Sequence, residues 1–243
     1  MPNTSQRLSS HHFKTLFESL LPAQCLSCEQ LCGRPDWLCI ACEAATELNC
    51  QPCFRCAIPV TTPGLCADCA ANSDTNHTPI SSIRSPLVYT GMVRDLIQRW
   101  KFQGARELTS LLLKLSGTRG ALELPHSIDA IVPMPMHWSG QLRRGYNQAE
   151  LLASALAAQC IPSAPVLPAL SAHWRGSSQH RLGRQRRGKN AQNRFRTSRN
   201  VVGKNLLLVD DVLTTGATSR AAASALQASG ARHVHLWCLA RSP

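Results

Sequence analysis

The sequence predicts an α/β protein with a largely parallel sheet, preceded by a small cysteine-rich module. Aliphatic runs of strand length alternate with segments of helical periodicity from residue 86 onward. Ten of the twelve cysteines fall between Cys25 and Cys69. Residues 72–85, which are rich in Ser, Asn, Thr and Pro, separate these two regions and are interpreted as a linker.

The predicted elements alternate regularly after the linker. The segments predicted as strands are residues 86–89, 127–132, 206–209 and 233–239. The segments predicted as helices are residues 92–102, 107–115, 148–158 and 217–228, the last closed by Gly230. Ligands of such parallel sheets bind beyond the carboxyl ends of the strands, so functional residues are expected there.

Charge is distributed unevenly along this chain of 243 residues and formal net charge +12. Residues 1–80 carry four Lys or Arg against seven Asp or Glu, whereas residues 171–204 carry ten Lys or Arg and no acid. A local positive field of this kind favours an anionic partner, and a solvated basic loop is the alternative.

Hydropathy indicates a folded chain outside the membrane. Apolar residues make up 44% of the sequence, and no window approaches the roughly 18 consecutive apolar residues of a membrane span. The first thirty residues show no basic segment followed by an apolar run. We therefore expect no membrane insertion and a cytoplasmic location.

Eight of the clustered cysteines form four Cys-x-x-Cys pairs, separated by ten, ten and nine residues. The pairs are Cys25 with Cys28, Cys39 with Cys42, Cys53 with Cys56, and Cys66 with Cys69. This spacing predicts two structural zinc ions, each held by four thiolates, although it leaves open which pairs share an ion.

Two alternatives to zinc fit the cysteines less well. A disulfide scaffold needs an oxidising compartment, and a thioredoxin-like motif needs a single pair on an α/β core. Cys32 and Cys50 lie off the pair spacing and are spare thiols or alternative ligands. Zinc would stabilise a segment that has too few aliphatic residues to fold by burial alone.

The stretch NLLLVDDVLTTGAT, from Asn205 to Thr218, is the candidate ligand site. Asp210 and Asp211 follow the strand at residues 206–209 and are the only acids between residues 151 and 243. The turn after them leads into a helix whose first amides, together with the threonine hydroxyls and Gly216, would form a phosphate cradle. The two acids are suited to accept hydrogen bonds from sugar hydroxyls.

Three other interpretations of this stretch compete with a ligand site. Thr214 or Thr215 could simply cap the helix after a buried strand. A nucleotide-binding P-loop is disfavoured because its Gly-Lys-Ser/Thr is absent. A phosphoacceptor receiver domain would distribute its aspartates over several strands of a smaller fold.

The stretch VDDVLTTGAT resembles the phosphoribosyl-pyrophosphate signature of type I phosphoribosyltransferases, and the chain from Cys25 onward resembles the ComF/GntX family. That family joins a cysteine-rich double zinc ribbon to such a domain. The match includes VPMPMHWSGQLRRGYNQAELLA from Val132, QHRLGRQRRGKNAQNRF from Gln179, and VHLWCLAR near the end. It implies a zinc ribbon at residues 22–72 and a parallel-sheet, phosphoribosyltransferase-like domain at residues 84–241.

The resemblance implies roles for individual residues. Asp210 and Asp211 would hold the ribose 2′- and 3′-hydroxyls, and the 5-phosphate would be wrapped by Thr214, Thr215, Gly216, Ala217 and Thr218. The pyrophosphate loop would be Pro133, Met134, Pro135, Met136 and His137, followed by Arg143, Arg144 and Asn147. A flexible loop at residues 181–196 would cover the pyrophosphate with cations that include Arg184. Asp210, Asp211, Arg144 and Arg184 would be the catalytic set.

The implied function is transfer of phosphoribose, with magnesium, from phosphoribosyl pyrophosphate to an unidentified nitrogenous acceptor, in a family linked to competence and to the use of DNA as a nutrient. The alternative is a non-catalytic protein that binds single-stranded DNA or a competence partner and keeps phosphoribosyl pyrophosphate only as a ligand. Trp174, beside Arg175, is a candidate for stacking on a nucleobase. No sequence feature selects the acceptor, and the zinc module is one candidate for that position.

Overall fold

The computed structural model describes residues 24–32, 37–72, 78–117, 127–136, 140, 142, 144–172 and 195–243. The chain divides into two compact units, Met1–Thr46 and Glu47–Pro243. The first unit contains two of the four cysteine pairs, and the second contains the other two together with the sheet. The division into domains at residues 22–72 and 84–241 stays a prediction.

In the first unit, the described residues form a short helix and tight turns. Helix α1 is Ile40–Ala44, and its N-cap is Cys39. Gln24 forms an isolated antiparallel bridge with Leu31. Among the described residues of this unit, Leu38 is the one buried aliphatic side chain, with 1% of its surface exposed. Such limited aliphatic burial in the described part agrees with stabilisation by metal ligands.

In the second unit, the strands confirm the predicted α/β class. They are β1 (Ser82–Arg84), β2 (Leu87–Val88), β3 (Ala130–Pro133), β4 (Leu170–Ala172), β5 (Phe195–Thr197), β6 (Asn205–Leu213) and β7 (His233–Arg241). The main sheet has the order β1-β7-β6-β3, and β2 also pairs with β7. Every pairing in this sheet is parallel.

Of the described helices of the second unit, the first was not predicted from the sequence, and the other four match the prediction to within one residue at their ends. They are α2 (Ala67–Ala71), α3 (Gly91–Phe102), α4 (Leu108–Leu115), α5 (Gln148–Gln159) and α6 (Ala217–Ala228). Val93, Leu96, Ile97 and Trp100 of α3 are all buried, as their spacing predicts. Residues 206–209 of β6 are all buried, and helices α5 and α6 both contact this strand.

The core on the α6 face of the sheet combines alternate residues of the two central strands. Leu206 and Leu208 of β6 lie in one cluster with Val234 and Leu236 of β7. Leu226 of α6 joins the same cluster. This packing holds the carboxyl ends of β6 and β7 in register, and the candidate site is at that edge.

Three features differ from the sequence prediction. Strand β1 lies inside the segment interpreted as a linker, because its pairing partner in β7 is about 150 residues away and leaves no local signal. Strand β6 runs four residues beyond Val209 and therefore contains the acidic pair. Strands β4 and β5 form an antiparallel pair that the three-residue patterns did not reveal.

Candidate functional site

The acidic pair lies near the carboxyl end of β6, between two neighbouring strands. Pro133, the last residue of β3, is in register with Val209, and Asp210 is in register with Cys238 of β7. The backbone N–H of Met134 donates to the carbonyl of Val209 at 2.8 Å. The loop that follows β3 therefore starts beside the first carboxylate.

The electrostatics of the pair are unequal. Burial of the Asp210 carboxyl, and then the negative charge of Asp211, raise its pKa to about 7. The backbone N–H of Asp211, 2.9 Å from Asp210 Oδ1, and the charge of Lys101 act in the opposite direction. Near neutral pH, Asp210 is therefore poised between its protonated and ionised forms.

Lys101 is a site residue that sequence reasoning missed. Its Nζ lies 2.8 Å from Asp211 Oδ1, and the two side chains are 15% and 17% exposed. Lys101 lies in the last turn of α3, four residues after the buried Ile97. That i, i+4 spacing places it on the edge of the buried helix face, which is the signal that was available in the sequence.

The turn after β6 leads into a helix whose N-cap residue is a glycine. Gly216 is the N-cap of α6 and has φ 70° and ψ 3°, a left-handed conformation that favours glycine. The backbone N–H of Ala217, the first residue of α6, donates to Thr215 Oγ1 at 3.4 Å. Thr214, Thr215, Ala217 and Thr218 are exposed. Thr215 therefore makes one long capping contact, as the helix-cap alternative allows, and the other amides of the first turn remain available to an anion.

The loop after β3 is held by Asn147. Its side-chain oxygen accepts from the backbone N–H of Ala149 at 3.0 Å and so caps α5. Its Nδ2 donates to the carbonyl of Met134 at 3.0 Å. Asn147 is buried, and in this structure it positions the loop that contains Met134 and Pro135.

Arg144 is connected to the end of α3. Its Nη1 donates to Gln148 Oε1 at 3.3 Å, and its guanidinium lies 4.8 Å from the centroid of the Phe102 ring. Gln148 Nε2 donates in turn to the carbonyl of Lys101 at 3.4 Å. The structure therefore brings Arg144 and Lys101 into one network beside the acidic pair. Arg143, Arg184, His137 and Trp174 lie outside the described residues.

The cysteine pairs assemble in sequence order into two clusters of four sulfur atoms, each with its members within 4.8 Å of one another. The clusters are Cys25, Cys28, Cys39 and Cys42, and Cys53, Cys56, Cys66 and Cys69. The sulfurs of Cys28 and Cys39 are 3.8 Å apart, and those of Cys56 and Cys66 are 3.7 Å apart. Tetrahedral zinc with Zn–S bonds of about 2.3 Å separates its ligands by about 3.8 Å, so both clusters fit a zinc ion.

Backbone amides favour the thiolate form of one cysteine in each cluster. Burial would raise the pKa of Cys25, but the N–H groups of residues that include Cys28 and Cys39 lower it to about 6. Burial would also raise the pKa of Cys53, but backbone hydrogen bonds from residues that include Cys66 and Arg55 lower it to about 6. The N–H of Cys66 lies 3.3 Å from Cys53 Sγ. Thiolate is the form that binds a metal, so these shifts favour metal binding. The two remaining cysteines of the region, Cys32 and Cys50, lie outside both clusters.

Comparison with known proteins identifies the second part of the chain. Residues 140–243 match the family model described as "Phosphoribosyl transferase domain". Among solved structures, the allosteric regulatory enzyme of purine biosynthesis matches 56% of this chain and 25% of its own, with 20% identity and a TM-score of 0.36. Within the described residues, no helix combines the length and the hydropathy needed to cross a bilayer.

Curated relatives match over most of the chain. DNA utilization protein YhgH of Salmonella typhimurium is 30% identical over 91% of this chain and 98% of its own length. Competence protein F of Haemophilus influenzae is 35% identical over 60% of this chain and 67% of its own. Competence protein ComFC of Bacillus subtilis is 26% identical over 86% of each chain. Because the similarity to YhgH reaches 30% identity over 91% of this chain and 98% of that protein, the chain belongs to the ComF/GntX family, in which a double zinc ribbon is joined to a phosphoribosyltransferase domain.

Proposed function

We propose that the protein binds phosphoribosyl pyrophosphate with magnesium and transfers the phosphoribosyl group to a nitrogenous acceptor. One observation supports this most directly. A buried central strand carries two adjacent carboxylates near its carboxyl end, and α6 begins six residues after them, behind the glycine N-cap Gly216. Acceptors for sugar hydroxyls and donors for a phosphate thus lie on one continuous segment.

The sugar phosphate would bind along this segment. Asp210 and Asp211 would accept hydrogen bonds from the ribose hydroxyls, and the amides of Ala217 and Thr218 would bind the 5-phosphate. Gly216 supports this arrangement, because its left-handed backbone turns the chain from β6 into α6 within a few residues. The hydroxyls of Thr214 and Thr215 are exposed and can add further donors.

The pyrophosphate would lie on the β3 side of the acids. Pro133, Met134 and Pro135 begin there, and Arg144 and Lys101 supply positive charge nearby. Magnesium prefers oxygen ligands, which the carboxylates and the diphosphate both offer, and it would neutralise charge on the leaving group. Arg143 and Arg184 are proposed from the sequence to add to this charge.

The proposed reaction needs no side-chain nucleophile. The lone pair of an acceptor nitrogen forms a bond to the anomeric carbon, the bond from that carbon to the pyrophosphate oxygen breaks, and its electron pair leaves with pyrophosphate. Any proton on the acceptor nitrogen passes to solvent or to a nearby base. The cations stabilise the negative charge that develops on the leaving group.

Zinc is proposed as a structural ion in each cysteine cluster. All eight ligand positions are filled by thiolates, so neither site keeps an open position for substrate. Bound zinc would stabilise segments whose described helices, α1 and α2, contain no buried residues.

The experiment that tests the proposal measures both binding and turnover. Calorimetric titration of the full chain with phosphoribosyl pyrophosphate and magnesium should detect binding, and Asp210→Asn and Asp211→Asn should each weaken it about tenfold or more. Asp95→Asn is the control, because that carboxylate is 65% exposed and lies on α3 beside Arg94. Equal affinity in all four proteins would contradict the proposed ligand.

A second candidate function is a binding protein without turnover, for single-stranded DNA or for a competence partner. The names of the relatives, which refer to DNA utilization and to competence, favour it. If pyrophosphate release is absent across a panel of bases and nucleic acids while the sugar pyrophosphate still binds, this candidate replaces the transferase. Replacing Arg184, Arg186 and Arg187 by Ala should then weaken oligonucleotide binding and reduce its salt dependence.

A further inference from the structure

A cavity of about 520 Å³ lies in the second unit beside the phosphate turn. Its lining combines two parts of the chain that are far apart in sequence. Cys56 and Cys69 of the second cysteine cluster belong to it, and so do Thr214, Thr215 and Gly216 of the turn. Small-molecule sites usually occupy about 300–1,000 Å³, so the volume suits a small ligand.

The charge of the lining selects an anion. Among the described residues, it includes Arg55, Arg220 and Arg241, against a single acid, Asp68. No ion pair joins any of these arginines to a carboxylate of the described residues. In this described lining three guanidinium groups outnumber one carboxylate, and guanidinium favours planar oxygen acceptors such as a carboxylate.

Arg241 is fixed in place by backbone carbonyls. It is 8% exposed, its Nε donates to the Cys56 carbonyl at 3.0 Å, and its Nη1 donates to the carbonyls of Leu213, at 3.0 Å, and Ser242. These contacts use three of its five N–H groups, so the two on Nη2 are not engaged by them. Arg241 thereby ties the cysteine cluster to the end of β6.

Arg55 is held in a similar way by the cysteine cluster. Its Nη1 donates to the carbonyls of Cys69 and Asn72, at 2.9 Å in both cases. Arg55 lies between Cys53 and Cys56, both of which belong to the cluster. The conformation of the second cluster therefore decides where this cation lies.

Apart from Asn72 and Thr78, the remaining lining among the described residues is apolar. Ile80, Ile83 and Leu236 line the cavity together with Pro79 and Leu213. Ile80 and Leu236 are buried and belong to the core on the α6 face. An apolar surface accompanied by cations suits a flat ring that bears an anionic substituent.

We propose that this cavity binds the acceptor and that the acceptor is a nitrogen heterocycle bearing a carboxylate. The inference rests on the proposed function, because it assigns the second substrate of the same reaction. The second cysteine cluster forms part of the substrate site in addition to its role in folding. Arg55 and Arg241 bind the carboxylate, and the apolar residues contact the ring.

The test uses orotate as the acidic probe and uracil, the same ring without the carboxylate, as its matched partner. Calorimetry with the zinc-loaded full chain should show orotate binding at least about tenfold tighter than uracil, because a charged hydrogen-bonded pair is lost with the carboxylate. Arg55→Ala should weaken orotate binding about tenfold or more, whereas Arg55→Lys should retain part of it. Arg232→Ala is the control, since Arg232 is exposed and lies before the amino end of β7.

Titration with phosphoribosyl pyrophosphate separates this inference from the proposed function. Its affinity should be unchanged in Arg55→Ala, and the zinc content of that variant should match the parent. Equal binding of orotate and uracil, no binding of orotate to the parent protein, or an equal loss of both ligands in Arg55→Ala would overturn the acceptor site. Failure of the sugar pyrophosphate to bind the parent would instead overturn the proposed function.

Discussion

At the scale of single residues, Asp210 is the most informative group. Its raised pKa has burial as its main cause, followed by the charge of Asp211. A protonated carboxyl accepts fewer hydrogen bonds than a carboxylate, so the proposed binding of ribose hydroxyls depends on its ionisation. We therefore expect the affinity for the sugar pyrophosphate to depend on pH in the physiological range.

We expect the affinity for phosphoribosyl pyrophosphate to rise about tenfold between pH 6 and pH 8, as a group with a pKa near 7 ionises. Asp210→Asn should remove this pH-dependent rise in affinity. Titration of the phosphates of the ligand affects the parent and the variant alike. Calorimetry across the pH series measures the difference. Parallel profiles for the two proteins would show that Asp210 does not control binding.

The same pKa shift predicts how stability varies with pH. The pKa of Asp210 is raised to about 7 in the folded state, against about 3.9 for an unfolded chain. Between these values the folded protein holds a proton that the unfolded chain has released. The contribution of Asp210 to the free energy of unfolding is therefore present below about pH 4 and is lost as the pH rises through 7. Thermal unfolding of the parent and Asp210→Asn should diverge over this range.

Lys101 modulates the same equilibrium, because its charge lowers the pKa of Asp210. Lys101→Met removes a charge that lowers the pKa of Asp210, and it leaves the negative charge of Asp211 without its ion-pair partner. Both effects should move the midpoint of the plot of ligand affinity against pH to higher pH. Lys204→Met is the control, because Lys204 lies just before the amino end of β6. The profile of the control should overlay that of the parent, and an unmoved midpoint in Lys101→Met would contradict the role given to this pair.

At the scale of elements, the junction between β6 and α6 determines what can bind. The helix begins after a glycine with positive φ, and the N–H of its first residue, Ala217, makes a long contact of 3.4 Å with Thr215 Oγ1. Gly203 provides a matched comparison, because its φ of 72° is close to the 70° of Gly216. An added Cβ at Gly203 meets nothing within 4 Å, whereas at Gly216 it lies 3.0 Å from Arg220 Nη1.

Gly203→Ala and Gly216→Ala should each destabilise the protein by about 1 to 2 kcal/mol, the cost of a left-handed residue with a Cβ. Only Gly216→Ala should also weaken the binding of phosphoribosyl pyrophosphate. The expected loss of affinity is about tenfold, because relaxation of the turn removes one hydrogen bond from an amide to the phosphate. Thermal unfolding and calorimetry measure the two effects separately. Equal ligand affinity in the two variants would place the phosphate elsewhere.

At the scale of the whole molecule, metal content tests the pairing of the cysteines. Elemental analysis should find two zinc ions per chain, because each of the two clusters offers four thiolates. Cys39→Ser and Cys56→Ser should each contain about one, and the double variant none. Cys50→Ser is the control and should retain two, since Cys50 is exposed and lies outside both clusters. Loss of both ions from either single variant would show that the clusters are not independent.

Much of the fold was predictable because its signals are local. The periodicity of α3 and the aliphatic run of β6 lie within a dozen residues of sequence, and both elements form where they were predicted. Strand β1 was not predictable, because it has only three residues and is recognised by its pairing with His235, Leu236 and Trp237. Short strands depend on such distant partners more than on their own composition.

The sequence by itself determined the α/β class, the eight metal-ligand positions and the adjacent acids before a glycine turn, since each depends on residues only a few positions apart. Only the tertiary structure decided that the cysteine pairs combine in sequence order, that Lys101 meets Asp211, and that Arg241 joins Cys56 to the end of β6. The last two contacts link residues 110 and 185 positions apart. Contacts between residues so far apart in the chain form only when the elements of the fold pack together, and no local pattern encodes them.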